Sequence, residues 1–195
     1  MRSLLLTSVA AMTLAGCGPK ANNATSDVEQ VAAAQATQNM VVGEAEADPA
    51  AMAAATADTF ALNSARGDMY ELASSKMAVE KSTNPAIKKF AQEMVDAHSA
   101  TTRALKAATA RDNISLEPRP ELDGKRKAML AALETAPPGS KFDVVYKQQQ
   151  RAAHGDTLTL MKGFASSNDA PALKAFANET APKVQMHLDM LRKLG

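Results

Sequence analysis

The chain carries nearly the same nine-residue phrase twice, PAIKKFAQE at 85–93 and PALKAFANE at 171–179. Six positions are identical, and the other three exchange Ile for Leu, Lys for Ala and Gln for Asn. Each copy opens on a proline that follows turn-forming residues, Ser82-Thr83-Asn84 in one case and Asn168-Asp169-Ala170 in the other. Proline at the first position of a helix forfeits no hydrogen bond, and Asn84 suits the cap before it. Each phrase therefore starts the second helix of a helical hairpin, and the chain is built from two such hairpins.

Apolar and small residues recur at helical spacing on either side of these starts. The first helix, 57–81, turns Phe60, Gly67, Glu71, Ser74 and Ala78 inward. The second, 85–110, turns in Ile87, Phe90, Met94, His98, Thr101 and Leu105. The third, 140–166, opens on Ser140 with Asp143 three residues later, a capping-box pattern with Asp in place of Glu. Its inward stripe is Tyr146, Gln150, His154, Leu158, Met161 and Phe164 or Ala165. The fourth, 170–194, is expected to be capped by the turn at 168–170 and carries Leu173, Phe176, Thr180, Val184, His187, Leu191 and Leu194. Within it, Pro182 removes a backbone hydrogen bond to Asn178. Two readings of that proline stand: a freed carbonyl lining a pocket, or curvature that packing requires.

Roughly thirty residues join the hairpins, about the length of a helix laid along a bundle. They hold Pro118, Pro120, Pro137 and Pro138, with a short helix near 121–135. Short loop, long crossover, short loop gives an all-α fold: a ferritin-like four-helix bundle of two antiparallel helical hairpins, with a short extra helix in the crossover.

Residues 1–16, MRSLLLTSVAAMTLAG, read as a secretory leader: one charge at Arg2, then an apolar run from Leu4 to Leu14 too short to span a bilayer. The run ends at Leu14-Ala15-Gly16-Cys17, and Cys17 is the only cysteine. The stretch resembles a bacterial lipoprotein signal. That resemblance implies lipidation of Cys17 and membrane attachment through the acyl chains. With Gly18 next, it implies the outer membrane, with the domain in the periplasm. Residues 17–56 are aromatic-free and acidic, with Lys20 against Asp27, Glu29, Glu44, Glu46 and Asp48, and are expected to be a flexible tether with transient helix at 28–40. The domain occupies 57–195. No dense basic run interleaved with aromatics occurs, so a nucleic-acid partner is not expected.

The three histidines of the chain, His98, His154 and His187, fall one each on the second, third and fourth helices, all on inward stripes. At a rise of ~1.5 Å per residue, Glu71 and His98 lie ~18 and ~22 Å from the first turn. By the same measure His154 and His187 lie ~21 and ~28 Å from the second. Aligned hairpins would bring Glu71, His98, His154 and His187 to one mid-bundle level, with Gln150, Tyr146 and Asp68 as pocket support. Three imidazoles and a carboxylate suit a transition-metal ion such as Zn, Cu or Fe. The alternative is a buried polar network whose groups satisfy one another. A di-iron carboxylate centre is not expected, because the residues three before the histidines are Val95, Arg151 and Val184. Asp143 lies ~17 Å along its helix from His154, too far to join the set.

Glu71-Leu72…Ala78, Asn84-Pro85…Phe90-Ala91-Gln92…Met94-Val95…His98, Phe142-Asp143…Tyr146…His154 and Pro182…His187-Leu188 together resemble domain-of-unknown-function family 4142 over about 57–193. The resemblance implies a ferritin-like fold and a secreted or envelope address, and brings no catalytic residues. That family commonly has Asp-His where this chain has Ala97-His98, its acid lying one residue earlier at Asp96. No phosphate loop, Ser/His/Asp set or zinc-type cysteine spacing is present. The chain thus reads as a periplasm-facing lipoprotein whose bundle binds a ligand or partner without catalysis, the alternative being a metal-binding or redox bundle.

Overall fold

The computed structural model describes residues 55–194 apart from residue 168. The leader, Cys17 and the tether with its 28–40 segment lie outside the described residues. Five helices follow in order: α1 Ala57–Lys81, α2 Pro85–Arg111, α3 Gly124–Thr135, α4 Ser140–Phe164 and α5 Pro171–Lys193. No described helix is long and apolar enough to cross a membrane.

Local chemistry sets the starts. The Thr56 hydroxyl accepts the Thr59 N–H at the head of α1. Asn84 Oδ1 accepts from Ala86 and Ile87 with Pro85 in first position, and Asp123 accepts the Arg126 N–H at 2.8 Å to open α3. The other two starts depart from expectation. At α4 the cap is Gly139, with φ at +86°, and no side chain caps the helix. Ser140 is already helical, so its hydroxyl cannot take the cap position, and the capping box with Asp143 does not form. Instead the Gly139 N–H donates to the Lys81 carbonyl at 2.9 Å, tying this turn to the end of α1. At α5 the cap residue Ala170 has no side chain to offer. The N–H groups of Ala172 and Leu173 donate to Asp112, at the end of α2, at 3.1 and 2.8 Å. A distant carboxylate replaces the local cap because both hairpins bring these ends together.

The packing is that of a four-helix bundle. α1 pairs with α2 and α4 with α5 as the two hairpins, while α1 also packs on α4 and α2 on α5. Phe60 stacks on Phe164, Tyr70 bonds Gln149 and Ser75 bonds Tyr146, so α1 and α4 run antiparallel. The crossover from Asp112 to Gly139 carries the chain from one end of the bundle to the other, as the ferritin-like order requires. Its helix α3 lies against α1 and α4. Arg66 Nε donates to Glu121 O, Lys81 Nζ to the carbonyls of Leu133 and Glu134, and Gln149 Nε2 to Met129 O.

The core divides into two apolar clusters. One, at the end holding the α4–α5 turn, gathers Phe60, Leu105, Leu160, Met161, Phe164, Leu173 and Phe176. The other gathers Ile87, Phe90, Met94, Leu133, Phe142, Tyr146 and Leu191 around the α1–α2 turn. Between them lies a layer of buried polar side chains: Asp68, Glu71, Ser74, His98, Gln150, His154 and His187. Leu158, expected to face inward, is only half-buried, and its neighbour Leu160 takes the core position. α5 runs through Pro182 without a break.

Candidate metal centre

Burying imidazoles and carboxylates between two apolar clusters is costly unless each polar atom finds a partner. The layer meets this demand on its outer side and not at its centre. His98 Nδ1 lies 2.8 Å from Asp68 Oδ1 across the first hairpin. A carboxylate only accepts, so Nδ1 carries the hydrogen and the neutral ring presents a bare Nε2. Asp68 is itself held by the hydroxyls of Thr101 at 2.8 Å and Thr102 at 3.1 Å. His154 Nδ1 donates to the carbonyl of Gln150 at 2.9 Å, which leaves its Nε2 bare as well.

The three rings converge. Their centroids lie 5.7 Å apart for His98 and His154, 6.1 Å for His98 and His187, and 5.4 Å for His154 and His187. One ring nitrogen from each falls within 4.8 Å of the other two. Bonds of ~2.0–2.1 Å to one tetrahedral ion would set these nitrogens about 3.3 Å apart, so holding one ion would draw the rings closer together. Among the described residues, seven buried side-chain polar atoms lack a hydrogen-bond partner. Five belong to this layer: His98 Nε2, His154 Nε2, His187 Nδ1, Glu71 Oε1 and Gln150 Oε1. Three of the five belong to the histidine rings that converge.

Protonation agrees with this at His154 and His187. Burial, then the neighbouring charge of His98 and that of His187, pulls His154 down to about 3. Burial and His98 pull His187 down to about 4. Both rings are therefore neutral donors at neutral pH. Burial also presses His98 downward, but the Asp68 hydrogen bond and the charges of Glu71 and Asp68 outweigh it and raise this ring. Burial pushes Glu71 up to about 7 against the opposing pull of His98 and of the Gln150 hydrogen bond.

The expected carboxylate ligand, Glu71, sits behind the rings rather than among the three nitrogens. Its Oε2 accepts from Gln150 Nε2 at 2.7 Å, and its Oε1 is 3.5 Å from His154 Nδ1, the side of the ring turned away from Nε2. With His154 neutral, that contact is no ion pair. Gln150 thus serves His154 through its backbone and Glu71 through its side chain. Tyr146 stands apart from the layer: its hydroxyl pairs with Ser75 at 2.9 Å and its ring packs on Phe90 and Phe142. Asp143 is buried away from the histidines, with Oδ1 unpartnered. Thr102 and Ser64 escaped the sequence reading. The only trace of Thr102 was its place one residue after the inward Thr101.

The sequence profile of a domain of unknown function, DUF4142, matches residues 42–194, well over half of the chain. The chain belongs to the DUF4142 family. No curated protein and no solved structure matches it. The acid beside His98 in this DUF4142 domain is not Asp96, which faces out and accepts from Gln92 at 3.1 Å. It is Asp68, contributed by another helix.

Proposed function

We propose that this DUF4142 bundle holds one first-row transition-metal ion on His98, His154 and His187. The convergence of three buried ring nitrogens on a common point carries the reading. Three imidazoles are borderline donors that suit zinc, copper or iron. Asp68 and the Gln150 carbonyl fix two of the rings in the tautomer a metal needs, the usual outer support of a ligating histidine. The test is metal analysis of protein purified without chelators, beside the His98→Ala/His154→Ala/His187→Ala variant. Stoichiometric metal in the parent and none in the variant is the expected result. A metal-free parent that takes up no added zinc, copper or iron refutes the reading.

We further propose that the domain is tethered at the periplasmic face of the outer membrane by lipid on Cys17. Leu14-Ala15-Gly16-Cys17 after a short apolar run supports it. Labelled fatty acid should enter the parent and not Cys17→Ala. Equal labelling of both would refute the anchor.

A further inference from the structure

Resting on the metal reading above, we infer that the bound ion keeps one exchangeable coordination position. It is turned toward the cavity between α2 and α5 and takes a small monodentate donor, the size of water or azide. The donor count comes first. The group of side chains able to share one ion comprises three histidines and no carboxylate. Three protein ligands leave a tetrahedral ion one place unfilled, the pattern of sites that exchange ligands rather than of closed structural ones.

Neither nearby carboxylate is placed to fill it. Asp68 is engaged on the Nδ1 side of His98 and is held there by two threonine hydroxyls. Glu71 is engaged by Gln150, on the Nδ1 side of His154. The two nitrogens of an imidazole point away from each other, so a partner of one lies behind an ion bound to the other. Asp68 would have to abandon the hydrogen bond that orients His98, and Glu71 lies outside the group of side chains whose donor atoms converge.

The second observation is space. A cavity of about 520 Å³ has His98 and His187 in its wall. Liquid water occupies about 30 Å³ per molecule, so there is ample room for a triatomic ligand. Ser64 also lines the cavity; it is 6% exposed and its Oγ has no partner, which offers the incoming ligand a hydrogen bond. The wall continues outward along exposed Ala100 and Ala104 to Asp96 and Glu179. Lys183 lies on the same wall, so charges of both signs border the mouth.

Cobalt(II) reports its coordination through visible d–d bands and serves as the probe metal. Azide at tens of millimolar, added to the cobalt-loaded full chain, should shift those bands in a saturable way. Ala100→Trp places bulk in the cavity from an exposed position on α2; it should bind cobalt equally and lose the azide response. Cobalt bound with bands indifferent to azide in the parent chain would overturn the inference while leaving the metal reading intact. An undiminished response in a folded, cobalt-loaded Ala100→Trp would overturn the cavity as the route. Failure to bind cobalt, zinc or copper at all would fell both readings together.

Discussion

Asp68 on α1 grips His98 on α2 at 2.8 Å, while Asp96, two residues from that histidine in sequence, faces solvent. Proximity in the chain is thus a poor guide to which acid tunes the ring. Asp68→Ala should weaken metal binding by about 10–100-fold, the usual cost of removing the outer partner of a ligating histidine. Asp96→Ala should leave it unchanged. Competition against a chromophoric chelator measures both.

Acid should destabilise the metal-free protein. His154 and His187 have folded pKa values near 3 and 4, depressed from 6.5. The unfolded chain therefore binds their protons first, and their contribution to stability, full above pH 6.5, is lost as pH falls toward 4. Glu71 works the other way: raised to about 7 from 4.5, it favours the fold below pH 4.5 and loses that contribution as pH rises through 7. His98, also raised, is protonated in both states below 6.5. Between pH 6.5 and 4.5 two protons gained by the unfolded chain oppose one gained by the folded chain. The net loss is on the order of 1–3 kcal/mol. Glu71→Gln should steepen it, and urea titrations at several pH values would reveal a flat profile if the arrangement is wrong.

Asp112 serves a helix to which it does not belong. Removing its carboxylate in Asp112→Ala leaves the N–H groups of Ala172 and Leu173 without their acceptor, which should cost about 0.5–2 kcal/mol. Metal affinity should be unaffected, since the cap lies at the end of the bundle. Denaturant midpoints of the two proteins give the comparison.

Phe60 stacks on Phe164 with centroids 4.0 Å apart and meets Phe176 edge-on at 6.2 Å. Phe60→Ala should cost about 3–5 kcal/mol through the void it opens. Val144, 61% exposed, is the control: Val144→Ser should change stability by less than about 0.5 kcal/mol. Thermal melts separate the two outcomes.

The hairpins, the crossover and the level of the histidines were legible because helical periodicity and proline-led starts are local signals. The doubled phrase marks both second helices, and the rise per residue brings three rings to one height. What escaped the reading depends on partners far apart in sequence. Nothing near Ala170 announces that Asp112 will cap α5, and nothing near Ser140 reveals that Gly139 will take a positive φ and bond back to Lys81. The carboxylates illustrate the same limit. Spacing places Glu71 and Asp68 on the inward face, yet which nitrogen each one meets depends on side-chain direction across two helices. Spacing likewise places Tyr146 on the inward face, yet its hydroxyl pairs with Ser75 rather than with a group of the polar layer.

The strap through α3 stitches α1 to α4 along one flank by way of Arg66, Lys81 and Gln149, whereas Asp112 ties α2 to α5 at one end of the bundle. The bundle is bound like a book, its spine at α1 and α4 and its fore-edge at α2 and α5. Opening should therefore be easiest where the pages are loose, so amide exchange would run faster in α2 and α5 than in the stitched pair. Traffic to the three imidazoles would then favour that edge.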